Sequence, residues 1–139
     1  MIEIPDSWNV YQGEYSGKPL LVRANIGLID FSAKNKYPVR LGIAIPLNES
    51  DKDGLPTQKE QENLNTIEDS LFTSVDVENH TIVALIITTN GMREFVLYSE
   101  SVDKAEKIAS NLKSIVNSHE IQSYTELDPS WSTYNQFAQ

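Results

Sequence analysis

The stretch Gly54-Leu55-Pro56-Thr57-Gln58-Lys59-Glu60 constrains this chain more than any other, because it opens a helix at a defined residue. Pro56 closes an extended segment, and Thr57 is placed to cap. Thr57-x-x-Glu60 has the capping-box form, in which the threonine oxygen accepts the N–H three residues on and the glutamate reaches back. Leu64, Ile67, Leu71 and Val75 then recur at helical spacing, with Phe72 beside them, and predict a helix running to about Val75. Glu68 falls inside that apolar arc, and Asp69 sits at its edge. A carboxylate turned toward a core must be paired, neutralised or hydrated. Either Glu68 meets an arginine, or the arc is narrower and the side chain reaches out to water.

The same region holds most of the charge. From Glu49 to His80 there are nine acids, Glu49, Asp51, Asp53, Glu60, Glu62, Glu68, Asp69, Asp76 and Glu78, against Lys52 and Lys59. That is −7 of a formal net charge of −9. Few lysines stand at i+4 to offset the acids, and the later ones lie where the helix macrodipole disfavours them. The face bearing Glu62, Glu68, Asp69, Asp76 and Glu78 has two readings. One is a docking surface for a basic partner; the other is a solvated face that keeps the protein soluble. So acidic a chain is not expected to bind nucleic-acid phosphates directly, which needs clustered Lys and Arg.

A length of 139 residues with 40% hydrophobic residues fits one α+β domain spanning 1–139 with a core of its own. The chain has no cysteine, which removes disulfides, thiolate metal sites and cysteine nucleophiles. Met1-Ile2-Glu3-Ile4-Pro5-Asp6 shows no apolar signal segment, and no apolar run is long enough to span a bilayer. A cytoplasmic protein without membrane contact is expected.

Along the chain, Trp8 to Tyr15 reads as an aromatic-rich strand, followed by a turn at Ser16-Gly17-Lys18-Pro19. Leu20 to Ile29 alternates as a second strand, and Val39 to Leu47 as a third, with Pro46 at a strand end or edge. Thr81 to Thr89 is apolar on both faces, as a central strand would be. Asn90-Gly91 is the strongest hairpin signal, because a type I′ turn needs positive φ at both positions. Met92 to Ser99 returns beside it, with Arg93 sharing a face with Phe95 and Leu97; Arg93 is therefore the expected mate of Glu68. Ser101 caps a second helix with a stripe from Val102 to Val116, and Glu120 to Leu127 adds a last strand. The order is βββαββαβ: a two-layer α+β sandwich, a ferredoxin-like variant with a mostly antiparallel sheet and two helices on one face. The doubly apolar strand needs cover on the other face too, from the aromatic residues Trp131, Tyr134 and Phe137 or from a second subunit in a homodimer.

No nucleophile-elbow, phosphate-loop, dinucleotide or zinc-protease motif is present, so no catalytic residue and no cofactor is assigned. His80 and His119 fall at element ends without a recognisable partner and are expected to be solvent-exposed. Glu49, Asp51, Asp53, Gly54 and Glu60 fall at positions of a calcium loop. Against that site, the first position is not Asp, Pro56 takes an apolar position, and a strand rather than a helix leads in. Asp51, Asp53 and Glu60 remain only weak metal candidates. Arg23, Arg40 and Arg93, the only arginines, all fall in strands. They either line an anion site or pair with surplus acids within the fold.

Trp8, Lys18-Pro19, Arg23, Asp53-Gly54-Leu55-Pro56, Ile67-Glu68-Asp69, Gly91-x-Arg93-Glu94, Tyr98 and Asp128-Pro129-x-Trp131-x-x-Tyr134 occur in this order over nearly the whole chain. That series resembles the domain-of-unknown-function family 695. The closing Asp-x-x-Trp-x-x-Tyr pattern is also similar to that of the ribonuclease E regulator B family, acidic α+β proteins that inhibit an enzyme by binding it. The resemblance implies a bacterial protein with a two-layer α+β fold and a regulatory binding role, and it carries over no catalytic residue. The expectation is thus a non-catalytic interaction module, with a basic protein such as a ribonuclease or toxin as partner. The alternative is an anionic-ligand or enzymatic site around the arginines.

Overall fold

Two-residue alternation and two Gly-containing turns dictate the sheet. The computed structural model describes residues 3–76 and 79–138, and among them six strands form one wholly antiparallel sheet. These are β1 (Trp8–Tyr15), β2 (Lys18–Asn25), β3 (Val39–Pro46), β4 (Thr81–Thr89), β5 (Met92–Ser99) and β6 (Gln122–Leu127). The spatial order is β1-β2-β4-β5-β3-β6. Helices α1 (Gln58–Asp76) and α2 (Val102–Ile115) cross between strands, and α3 (Ser132–Phe137) ends the chain.

The segment from β3 to β6 is a βαββαβ unit with its strands ordered β4-β5-β3-β6, the split βαβ arrangement of ferredoxin-like folds. The β1–β2 hairpin extends this sheet beyond β4. Its turn puts Ser16 at φ 51° and Gly17 at φ 80°, and the β4–β5 turn puts Asn90 at φ 49° and Gly91 at φ 78°. Both pairs have the positive φ of type I′ turns, whose twist matches that of the strands.

Each sheet face has its own core. On one face Leu41, Ile43, Ile45, Phe95 and Leu97 pack under Leu64, Ile67 and Leu71 of α1 and Ala105, Ala109 and Leu112 of α2. On the other, Val22, Ala24, Leu85, Val96 and Tyr98 pack against Leu28, Tyr37, Trp131 and Tyr134. β4 supplies both, which explains its unbroken apolar run; a register shift between Val83 and Leu85 changes which residues face which side.

Several local outcomes differ from the sequence reading. β2 stops at Asn25 rather than Ile29, because the Asn25 side chain accepts from Gly27 N and starts a 3₁₀ turn over Ile26–Leu28. The tail is not merely a turn with aromatics but the short helix α3. Val102 and Ile115, at the ends of the α2 stripe, are exposed, so the buried stripe is narrower than its pattern. Pro46 does end β3, beyond the last residue that β6 pairs, Ala44.

Candidate functional site

Helix α1 positions most of the residues in question, and its turns sort them into separate stripes. Thr57 caps it: Thr57 Oγ1 accepts from Glu60 N at 3.3 Å. The inward stripe is Leu64, Ile67, Leu71 and Val75, all buried. Glu62 and Asp69, seven residues apart, share the outermost stripe and are exposed. Glu68 does not share it. Its side chain turns toward β2 and makes a two-pronged pair with Arg23, Nη1 to Oε2 at 3.2 Å and Nη2 to Oε1. The expected five-acid surface is therefore not one surface. Glu62 and Asp69 form its exposed part, Glu68 is withdrawn into the fold, and the Asp76 side chain and Glu78 lie outside the described residues.

The mate of Glu68 is thus Arg23, not Arg93. Arg93 does stand on the same sheet face, but one row along and beneath Gln61: its Nε donates to Thr88 Oγ1 at 3.0 Å and its Nη2 to Gln61 Oε1 at 3.2 Å. Arg93 is buried, and Nη1 has no hydrogen-bond partner among the described residues. Burial first, then the nearby Arg23 charge, pulls its guanidinium below the ordinary value, while Glu68 and Glu60 pull the other way.

Arg40 occupies the opposite face, so the three arginines do not converge. Its Nη1 donates to Asp128 Oδ2 at 3.1 Å and Thr133 Oγ1 at 2.8 Å, and its Nη2 to Glu126 Oε2 at 2.6 Å. Asp128 is the hub of that face. It accepts from Tyr98 Oη at 2.7 Å, Ser132 N at 2.8 Å, Ser132 Oγ at 2.7 Å and Thr133 N at 3.3 Å. Burial opposes its charge, but the Tyr98, Ser132 and Thr133 donors outweigh burial and hold the carboxyl well below the usual range. Trp131, at φ 57°, stacks on Tyr98 with ring centroids 4.0 Å apart and donates its indole N–H to Tyr37 O at 2.9 Å. The Asp128-x-x-Trp131-x-x-Tyr134 pattern is thereby a structural clasp: it caps α3, covers the second core and ties both to β5.

Glu60 and His119 form a third cluster, which corrects two readings. The Glu60 carboxylate does not return to the Thr57 N–H. It accepts from Asn48 N and Glu49 N and meets His119 Nε2 at 3.0 and 3.1 Å. His119 is not solvent-exposed; its side chain is 0% accessible, and Nδ1 shares a hydrogen bond with Ser118 Oγ at 2.8 Å. Burial opposes the Glu60 charge, yet the Asn48, His119 and Glu49 hydrogen bonds hold its pKa below the ordinary value. No sequence signal joins residues 59 positions apart. The only clue was an acid in a first turn already provided with a cap.

Asp51 Oδ1 accepts from Asp53 N at 2.8 Å and Leu55 N at 3.1 Å, so it organises the loop. Glu60 is turned into its own cluster. Among the described residues no three His, Asp or Glu side chains come together in a way that would hold a metal ion. The loop leans on the β4–β5 turn: Gly91 N donates to Gly54 O at 2.8 Å, and a Cβ on Gly54 would stand 2.8 Å from Asn90 Cα. His80 is half-exposed, and its Nδ1 contacts Glu100, which Lys104 Nζ also reaches at 3.0 Å.

Fold and side-chain clusters together define a mixed α+β protein: an antiparallel sheet with two helices on one face and an aromatic clasp on the other. A sequence model of a family of unknown function, DUF695, matches residues 6–138, and the chain belongs to that family. Searches of the curated proteins and of the solved structures give no match. No helix among the described residues is long and apolar enough to cross a membrane.

Proposed function

We propose that this chain is a non-catalytic interaction module, cytoplasmic and bacterial, whose outer α1 stripe docks a basic protein partner. One observation carries this reading. Glu62 and Asp69 project from the exposed side of α1 with no basic residue in the last turn of the helix, while Arg23 and Arg40 are engaged with other acids of the same chain. The outer negative charge thus has no arginine of its own chain to neutralise it. Complementary charge speeds encounter and selects partners more than it deepens affinity. A ribonuclease or toxin held by occlusion fits that description. Nucleic acid and anionic membrane surfaces would be repelled by the same stripe.

An anionic-ligand or enzymatic site around the arginines has weaker support, since Arg23 and Arg93 lie on one sheet face and Arg40 on the other. Pairing of two copies through the second sheet face also has less room, because Trp131 and Tyr134 lie on it.

The test is affinity capture from the native cell at low and high salt, with Glu62→Lys/Asp69→Lys as the control bait. A basic protein held at low salt, released at high salt and absent from the reversed bait is the expected result. Capture that ignores both salt and charge reversal would overturn the docking face.

A further inference from the structure

The two edges of the sheet are guarded unequally. β6 is a six-residue strand that carries Glu126 and runs directly into Asp128-Pro129. β1 holds eight residues in unbroken register with β2, without proline, lysine, arginine or a bulge. Its single charge is Glu14, and Val10 and Tyr15 are 67% and 63% exposed. Charged side chains, proline, bulges and shortness are the usual means of blunting an edge; of these β1 has only the charge of Glu14.

Turn geometry tells which backbone groups face outward. In a two-residue type I′ hairpin the flanking residues, here Tyr15 and Lys18, share a hydrogen-bonded pair. Alternation then turns the backbone groups of Asn9, Tyr11, Gly13 and Tyr15 toward β2. Ile26 N donating to Ser7 O at 2.8 Å continues the odd-numbered set. Trp8, Val10, Gln12 and Glu14 present their N–H and C=O to the outside.

We infer that β1 pairs with β1 of a second copy, antiparallel about a two-fold axis at Gln12, so that one sheet runs through both chains. Charge selects the register. An axis at Val10 sets Glu14 opposite the partner's Asp6, and an axis at Glu14 sets two carboxylates face to face. An axis at Gln12 sets Glu14 opposite the partner's Val10. Val10 is itself paired with Arg23 across the β1–β2 ladder, on the same sheet face. Glu14 therefore enters the row of the partner's Arg23, a guanidinium whose side chain is 36% accessible despite its bond to Glu68. On the other face Tyr11 comes opposite the partner's Gly13, which has no side chain to obstruct the ring. The outer α1 stripes stay free in this arrangement, so the pairing is independent of the docking reading.

Each copy carries a net −9, so screening strengthens the pairing where it would weaken docking to a basic protein. The test is sedimentation equilibrium of the full chain at about 100 μM, from low salt to about 0.5 M. A dimer whose fraction rises with salt is expected. Gln12→Lys, which sets two like charges at the axis, and Gln12→Pro, which removes only an outward N–H and leaves the β2 ladder intact, should each weaken it tenfold or more. The chain has no cysteine, so Gln12→Cys carries a lone thiol. A hydrogen-bonded antiparallel pair has its Cα atoms about 5.5 Å apart, within disulfide reach. Mild oxidation should link Gln12→Cys as a dimer but not Glu14→Cys, whose two thiols would sit about 14 Å apart. A monomer across the whole salt range, or a dimer that survives both Gln12→Lys and Gln12→Pro, would overturn the pairing.

Discussion

Arg23 and Arg93 stand on the same sheet face with the same charge, yet their removal should move stability in opposite directions. Arg23 answers the Glu68 carboxylate with two hydrogen bonds, and Glu68 is mostly shielded from water. Because the Arg23 side chain is about one-third exposed, solvent screens the pair, and Arg23→Met should cost only about 1 kcal/mol. Arg93 has neutral partners, one unmatched nitrogen, and a guanidinium disfavoured by burial. A buried charge without a close counter-ion is often replaced by an apolar residue without loss, so Arg93→Met should raise stability by about 1 kcal/mol. Urea titrations of both variants check the signs. The sequence showed an acid within an apolar arc, for which an arginine mate was one of two readings. It did not show which arginine, because α1 crosses the sheet toward β2, and helix–sheet register is set by tertiary packing.

At the scale of elements, α1 is held at its start by two devices, and only one was legible. The Thr57 cap follows from local backbone geometry, and the helix begins where the pattern places it. Seating of that first turn against the loop after β3 and the α2–β6 connection falls to Glu60 and His119, a contact no local rule encodes. The carboxyl of Glu60 titrates below its ordinary value of 4.5 in the folded protein. A depressed carboxyl contributes stability above its unfolded value, and that share is lost as pH falls through the folded value. Glu60→Gln should therefore cost about 1–2 kcal/mol near neutral pH and flatten the loss of stability below 4.5. Denaturant titrations of both proteins from neutral to acid pH measure it; parallel curves for the two would mean that Glu60 plays no such part.

At the scale of the molecule, the succession of strands along the chain, the two long helices and the β1–β2 and β4–β5 hairpins were readable because each rests on period or turn chemistry; the order of the strands within the sheet was not. The second layer was less so. The doubly apolar β4 showed that both sheet faces needed cover, but α3 is only six residues and lacks a helical stripe long enough to detect. Its position is set instead by Asp128, whose acceptors collect α3 N–H groups, and by Trp131, held at positive φ over Tyr98. Non-glycine residues at positive φ are strained, so this clasp persists only because stacking, the Tyr37 hydrogen bond and the Tyr134 edge contact over-determine it. Trp131→Ala should therefore cost about 3–5 kcal/mol, the range for emptying a buried aromatic site. The two cores share β4 and β5, so the damage cannot stay on one face. Unfolding followed by the fluorescence of Trp8, which packs edge-on against Phe72 of α1, should shift by as much as unfolding followed by circular dichroism. Two separate transitions would mean that the helical layer and the aromatic clasp fold as independent units.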